Sequence, residues 1–244
     1  MKNITGVAPL FREFKRHLHQ ERERIAPLQL VGKLEDYLTK EFASVIIKES
    51  GGLVLPIGNF GHIADGGRID LVLTKGNVSK ALDKQSWKKL NPLRVYALVE
   101  LKYVRNRHRA TFSDATDETS SALGSLHRQL GKKIEDKYAG LSVNLNAKKF
   151  KLYGVVFASF VCRKGENFPE GKLDRKHFIE KTKKAASDRF QSHNFKATVL
   201  KPVYTDVPVR VLKGKYLVSL YAGLWRIKLL PTGDKLKGTP ISEA

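Results

Sequence analysis

Apolar residues return every three to four positions near the start of the chain. Leu10, Phe14, Leu18 and Ile25 share one face of a helix over 8–24 whose other positions are crowded with Arg, Lys, His and Glu and which Pro27 closes. Val31, Leu34, Leu38 and Phe42 repeat the spacing more firmly and predict a helix over 28–43. The period then shortens. Ser44–Lys48 (SVIIK) predicts a short strand, Gly51-Gly52 ends it, and the glycine-rich segment 58–67 leads into the strand RIDLVLT at 68–74. Pro92 precedes a long strand, RVYALVELKYV, at 94–104. Helical spacing resumes over 114–138, with Leu123, Leu126, Leu130, Ile134 and Tyr138 on one stripe. The run 151–161 is apolar enough for a central strand. A basic helix follows at about 173–190, with Phe178, Ile179, Thr182, Ala186 and Phe190 inward, and 196–230 reads as β structure. The tail after Pro231 is polar and reads as loose. The order is helix, three strands, helix, strand, then a further helix and strands, an α/β arrangement.

Two of these strands carry charges where their pattern calls for apolar side chains. Strand residues two apart share a face, so on 94–104 Leu98, Glu100, Lys102 and Val104 point together, opposite Val95, Ala97, Val99, Leu101 and Tyr103. Asp70 interrupts the preceding strand in the same way, between Ile69 and Leu71. Burying such groups costs several kcal/mol unless something compensates. Pairing of the two strands brings Asp70 and Glu100 together. Two convergent carboxylates suit a hard cation such as Mg²⁺, which takes one or two carboxylates and substrate phosphate, and Lys102 adds positive charge beside them. The spacing E-x-K alone says little, since Glu13/Lys15, Glu135/Lys137 and Glu170/Lys172 repeat it in polar or helical surroundings. An ion pair of Asp70 with Lys102, or of Glu100 with Arg68, that merely plugs the sheet is the structural alternative.

Charge narrows the partner. The 244 residues hold 45 Lys plus Arg against 24 Asp plus Glu, a formal net charge of +21 and a pI near 10.0. Such a surplus points to a polyanion, because each cation set on a phosphate releases condensed counterions; the helix over 8–24 is then either solvated or in contact with DNA. Cys162 is the only cysteine, which excludes an internal disulfide and a thiolate zinc site. The seven histidines show no ligand spacing beyond His17-x-His19. No phosphate-binding glycine loop, serine elbow or dinucleotide fingerprint is present. The start of the chain lacks the apolar core of a signal peptide, and no apolar run reaches membrane-spanning length. A cytoplasmic protein with no membrane partner is expected.

The segments RID(70)LVL and VE(100)LK(102) together resemble the split motif of the PD-(D/E)XK, or restriction-endonuclease-like, nuclease superfamily. The resemblance covers roughly 28–162, where the order of elements is also similar; Ile69 stands where the family often has proline, and the interval from Asp70 to Glu100 is long, implying an enlarged hairpin loop. It implies one nuclease domain over 1–244, with the core at 28–162, an N-terminal basic helix at 8–24 and a C-terminal helix and β extension at 173–230. The implied fold is a mixed central sheet flanked by helices. The implied activity is Mg²⁺-dependent hydrolysis of DNA phosphodiester bonds, with Mn²⁺ as a substitute, by an endonuclease of restriction, repair or junction type. Asp70 and Glu100 would ligate the metal and Lys102 would assist the attacking water. Glu35, or its rival Glu41, would add a further ligand from the preceding helix, and Asp65 is a fallback for Asp70. Gln129, with Lys132 or Lys133, matches a feature of some exonuclease-like members. Lys84, Lys88 and Lys89 of the basic loop, and the Lys/Arg-rich helix at 172–189, are candidate clamps on the backbone of double-stranded DNA. A homodimer, through the strands of 196–230, would suit cutting both strands of a duplex. A non-catalytic DNA-binding or assembly subunit retaining the fold is the alternative function.

Overall fold

Large apolar side chains at the start of the chain need a surface to cover, and a six-stranded sheet supplies it. The computed structural model describes residues 4–31, 34–60, 69–75, 94–105, 133–136, 141–144, 151–163, 175–192, 195–211 and 214–229. Helix α1 (Val7–Gln20) buries Val7, Leu10, Phe11, Phe14 and Leu18; α2 (Arg22–Val31) buries Ile25, Ala26 and Gln29; α3 (Glu35–Glu49) buries Leu38, Phe42, Val45 and Ile46. Phe14 joins the layers, its ring centroid 4.7 Å from that of Phe42 and 6.0 Å from that of Phe157 in the sheet. Gly51 and Gly52 then turn the chain with φ of 58° and 76°, a left-handed conformation that glycine adopts without steric cost.

The strands are β1 (Val54–Phe60), β2 (Ile69–Lys75), β3 (Arg94–Arg105), β6 (Lys151–Arg163), β7 (Phe195–Val211) and β8 (Gly214–Leu229), in the order β1-β2-β3-β6-β8-β7. The sheet is mixed and open: β3 and β6 run parallel and every other neighbouring pair is antiparallel. Two short strands, β4 (Lys133–Asp136) and β5 (Leu141–Asn144), pair separately. Alternation divides the sheet between two layers. Leu71, Leu73, Ala97, Val99, Leu101, Tyr153, Val155 and Phe157 belong to the core beneath α1–α3. On the other face, helix α4 (Arg175–Ser192) packs on β6, β7 and β8, with Phe178 stacked 6.0 Å from Phe160.

Several expectations change. The helix over 8–24 is two helices broken at Glu21, and it belongs to the core rather than to solvent. Pro27 lies inside α2 instead of closing a helix. It is exposed, so water can take the Glu23 carbonyl that its missing N–H leaves free. Val31 ends α2 at 79% exposure instead of sharing a buried face with Leu38 and Phe42. Ser44–Lys48 continues α3, because Val45 and Ile46 fall on the face already buried by Leu38 and Phe42 and packing overrides β propensity. Lys133–Asp136, read as helix, is a strand because it finds a pairing partner in 141–144; the remainder of 114–132 lies outside the described residues. The strands after 195 are not an appendage: β8 lies between β6 and β7 within the main sheet. Among the described residues, no helix is long and apolar enough to cross a membrane.

Phe14→Ala is expected to destabilise the chain by about 3–5 kcal/mol in urea denaturation, since it empties the junction of α1, α3 and β6. Val31→Ser should stay within about 0.5 kcal/mol.

Candidate functional site

Strand β2 leaves β3 halfway along. Their pairing runs from Lys75 opposite Arg94 to Leu71 opposite Val99 and stops there. Beyond that point β3 continues to Arg105, so N–H groups on its β2 side need other acceptors. Two acidic side chains supply them. The Leu101 N–H donates to Asp70 Oδ2 at 2.7 Å, and the Tyr103 N–H donates to Glu35 Oε2 at 2.8 Å. The Asp70 N–H in turn donates to the Glu100 carboxylate, and the two carboxyl groups are themselves hydrogen-bonded. Each acid is thus held by the backbone of the other's strand. Glu35 arrives from the first turn of α3, where the helix dipole favours negative charge.

Lys102 completes the group. It stands two residues from Glu100 on the same face, with Nζ 3.7 Å from Glu100 Oε1 and 3.7 Å from Glu35 Oε1. Asp70 belongs to that face as well, two residues from Val72, which pairs with Leu98. Burial is strong at the centre: Glu100 is 7% exposed. Burial, with the Asp70 charge beside it, pushes the Glu100 carboxyl up to about 8 against the pull of Lys102 and the Asp70 N–H. Burial also raises Asp70, opposed by the Leu101 N–H and by Lys102. The buried pair therefore favours one shared proton over two adjacent negative charges.

Asp70, Glu100, Lys102 and Glu35, chosen from sequence, thus meet at one place. Glu41 does not join them. It accepts from His17 Nε2 at 2.6 Å and Arg24 Nη2 at 3.1 Å, and so ties α1 and α2 to α3. Lys102, which the structural alternative would pair with Asp70, lies 3.7 Å from Glu100 and from Glu35, and its charge also acts on Asp70. Asp65, Arg68, Lys84, Lys88, Lys89, Gln129 and Lys132 lie outside the described residues, and Lys133 sits on β4 rather than on a helix. Asp36 was not anticipated. It follows Glu35 in the first turn of α3, and its charge acts on Asp70. The adjacent acids at 35 and 36 were the available signal. Arg105, also unanticipated, ends β3 by donating from Nη2 to the Leu30 carbonyl at 2.9 Å.

Among the described residues no three His, Cys, Asp or Glu side chains form a ready metal cage. The pair Asp70 and Glu100 nonetheless fits a hard cation. It offers carboxylate oxygens alone, buried beside each other in a place that penalises their negative charge. Mg²⁺ takes one or two carboxylates and fills its other positions with water and phosphate oxygens. Glu35 stands across Lys102 as the next oxygen donor.

Because folding raises the Glu100 carboxyl from 4.5 to about 8, the folded chain keeps a proton that the unfolded chain has released between those values. That contribution to stability is complete below the lower value and lost above the upper one. In EDTA, stability to urea is expected to fall across this window, by at most about 1.4 kcal/mol per pH unit for this group. Glu100→Gln should flatten most of the fall, and an unchanged slope would contradict the assignment.

No protein-family model, no curated protein and no solved structure matches this chain.

Proposed function

We propose that the chain is a Mg²⁺-dependent DNA endonuclease of the restriction-endonuclease-like fold, with Asp70, Glu100 and Lys102 as its catalytic centre and Glu35 as an accessory acid. The observation that carries this reading is the meeting of Asp70 and Glu100 beside Lys102, on one sheet face, where β2 parts from β3. The resemblance of RIDLVL and VELK to the PD-(D/E)XK motif supports it, as do the mixed sheet with helices on both faces and the net charge of +21. Mn²⁺ is expected to replace Mg²⁺.

Asp70 and Glu100 offer oxygen donors whose burial makes a divalent cation a better neighbour than water. When bound there, such a cation polarises the phosphodiester and lowers the pKa of the attacking water. Lys102, fixed between Glu100 and Glu35, holds its ammonium where it orients that water and offsets charge developing on the phosphate oxygens. Glu35 positions Lys102 while binding the Tyr103 N–H, so the lysine's reach is set by α3 and β3 together. Cutting both strands of a duplex would call for a second copy or a second encounter.

A plasmid-nicking assay tests the reading. The parent is expected to nick with Mg²⁺ and not in EDTA, while Asp70→Asn and Lys102→Met each slow cleavage at least about 100-fold. Both variants should bind duplex DNA in EDTA as the parent does. Mg²⁺ should also raise the parent's melting temperature at pH 8 more than that of Asp70→Asn, since a ligand held by the folded state stabilises it. Undiminished nicking in both variants would overturn the proposal, and a parent that binds DNA but never cuts would leave a binding or assembly subunit instead.

A further inference from the structure

Helix α4 buries Phe178, Ile179, Ala186 and the hydroxyl-bearing Thr182 against the sheet. Its described outward positions are mainly cationic. Lys176, Lys181, Lys183 and Lys184 are all exposed, with His177 beside them and Glu180 as the one described exposed acid of the helix. Arg175 is different, because it is engaged by Asp206 of β7.

The position of this helix matters more than its composition. Phe178 packs on Phe160, and Phe160 shares its strand face with Gly154 and Val156, six and four residues earlier. Glu100 pairs with Gly154 and Lys102 with Val156 across the parallel β3–β6 contact. The helix and the acidic centre therefore lie on the same side of the sheet, in neighbouring lanes. The helix also runs lengthwise over β6, β8 and β7. It begins at Arg175, beside Asp206, which pairs with Ser219 opposite Phe160. It ends at Ser192, three residues before Phe195, which pairs with Leu229 at the far end of the sheet. Its 18 residues span about 27 Å, the length of most of a turn of duplex.

We infer that α4 is the rail on which the DNA backbone rests while a phosphodiester lies at Asp70, Glu100 and Lys102. Lysine ammoniums on flexible stems bind phosphates as point charges, and phosphate contacts set the position of a duplex without carrying sequence information. The described outward side chains of α4 therefore grip without selecting sequence. Choice of DNA as the polyanion rests on the nuclease reading, but the grip is measurable without cleavage.

The test is a salt titration of binding to a short labelled DNA duplex in EDTA. Parent protein is compared with a triple variant, Lys181→Gln, Lys183→Gln and Lys184→Gln, and with a control of equal charge change, Arg12→Gln, Lys40→Gln and Lys48→Gln. The control residues are exposed on α1 and α3, in the layer covering the opposite face of the sheet. Each lost phosphate contact should flatten log K against log salt by about 0.9. The α4 variant is expected to flatten the slope by roughly 2–3 and to weaken binding at least about tenfold, with its melting temperature kept; the control should change neither slope nor affinity. Equal losses in both variants, an unchanged slope in the α4 variant, or a parent that does not bind the duplex would each overturn the inference. Binding that depends on α4 in a parent that never cleaves would keep the rail and remove the nuclease.

Discussion

A strand whose neighbour departs leaves backbone donors that cannot stay unpaired, and this chain resolves that constraint with acids. Past Val99 the described backbone pairing of β3 with β2 ends, yet Leu101 is buried and its N–H requires an acceptor. An unpaired buried donor costs about 1–3 kcal/mol. Asp70 meets the first of the stranded N–H groups and Glu35 the second. The same two bonds that complete the edge of the sheet bring carboxylates from two other elements to the place where Glu100 already stands. Sheet geometry and site geometry therefore depend on one set of contacts.

That solution carries an electrostatic penalty. Glu100 and Asp70 are forced together with little water, and Glu35 and Asp36 add further negative charge nearby. Lys102 offsets part of it, reaching Glu100 and Glu35 at the same distance of 3.7 Å. A sheet built for stability alone would place apolar residues at these positions, since replacing buried ions by well-packed hydrophobes is often neutral or stabilising. The acids kept here are the ones proposed above to hold a divalent cation, whose binding would displace protons.

The three N-terminal helices decide where Glu35 can be. Phe14 sets α1 against α3 and β6, and Glu41 ties α3 to His17 of α1 and Arg24 of α2. With those anchors in place, the first turn of α3 lies beside the end of β3, and Glu35 reaches both the Tyr103 N–H and Lys102. Glu35 and Glu41 lie six residues apart on one helix and serve different ends, one at the site and one in the scaffold.

Local pattern determined a good part of this. Alternation placed Glu100 and Lys102 on one face of β3 and marked Asp70 as an unexpected charge in an apolar strand, because side-chain direction in a strand is fixed by position alone. Apolar runs likewise located β3, β6 and α4 to within a few residues. Where a choice depended on a distant partner, sequence could not make it. Ser44–Lys48 has the composition of a strand, yet Val45 and Ile46 complete a face that α1 and the sheet bury. Lys133–Asp136 fits a helical stripe but has Leu141–Asn144 as a strand partner. Glu35 and Glu41 are equivalent in composition and differ only in which neighbours folding gives them. The sequence by itself determined which charged side chains interrupt the apolar strands, and that Glu100 and Lys102 share one face of β3. Only the tertiary structure decided that the described pairing of β2 with β3 ends at Leu71 and Val99, and so that Asp70 and Glu35 accept from the next N–H groups of β3, because a backbone donor's need for an acceptor is set by what lies beside it in space.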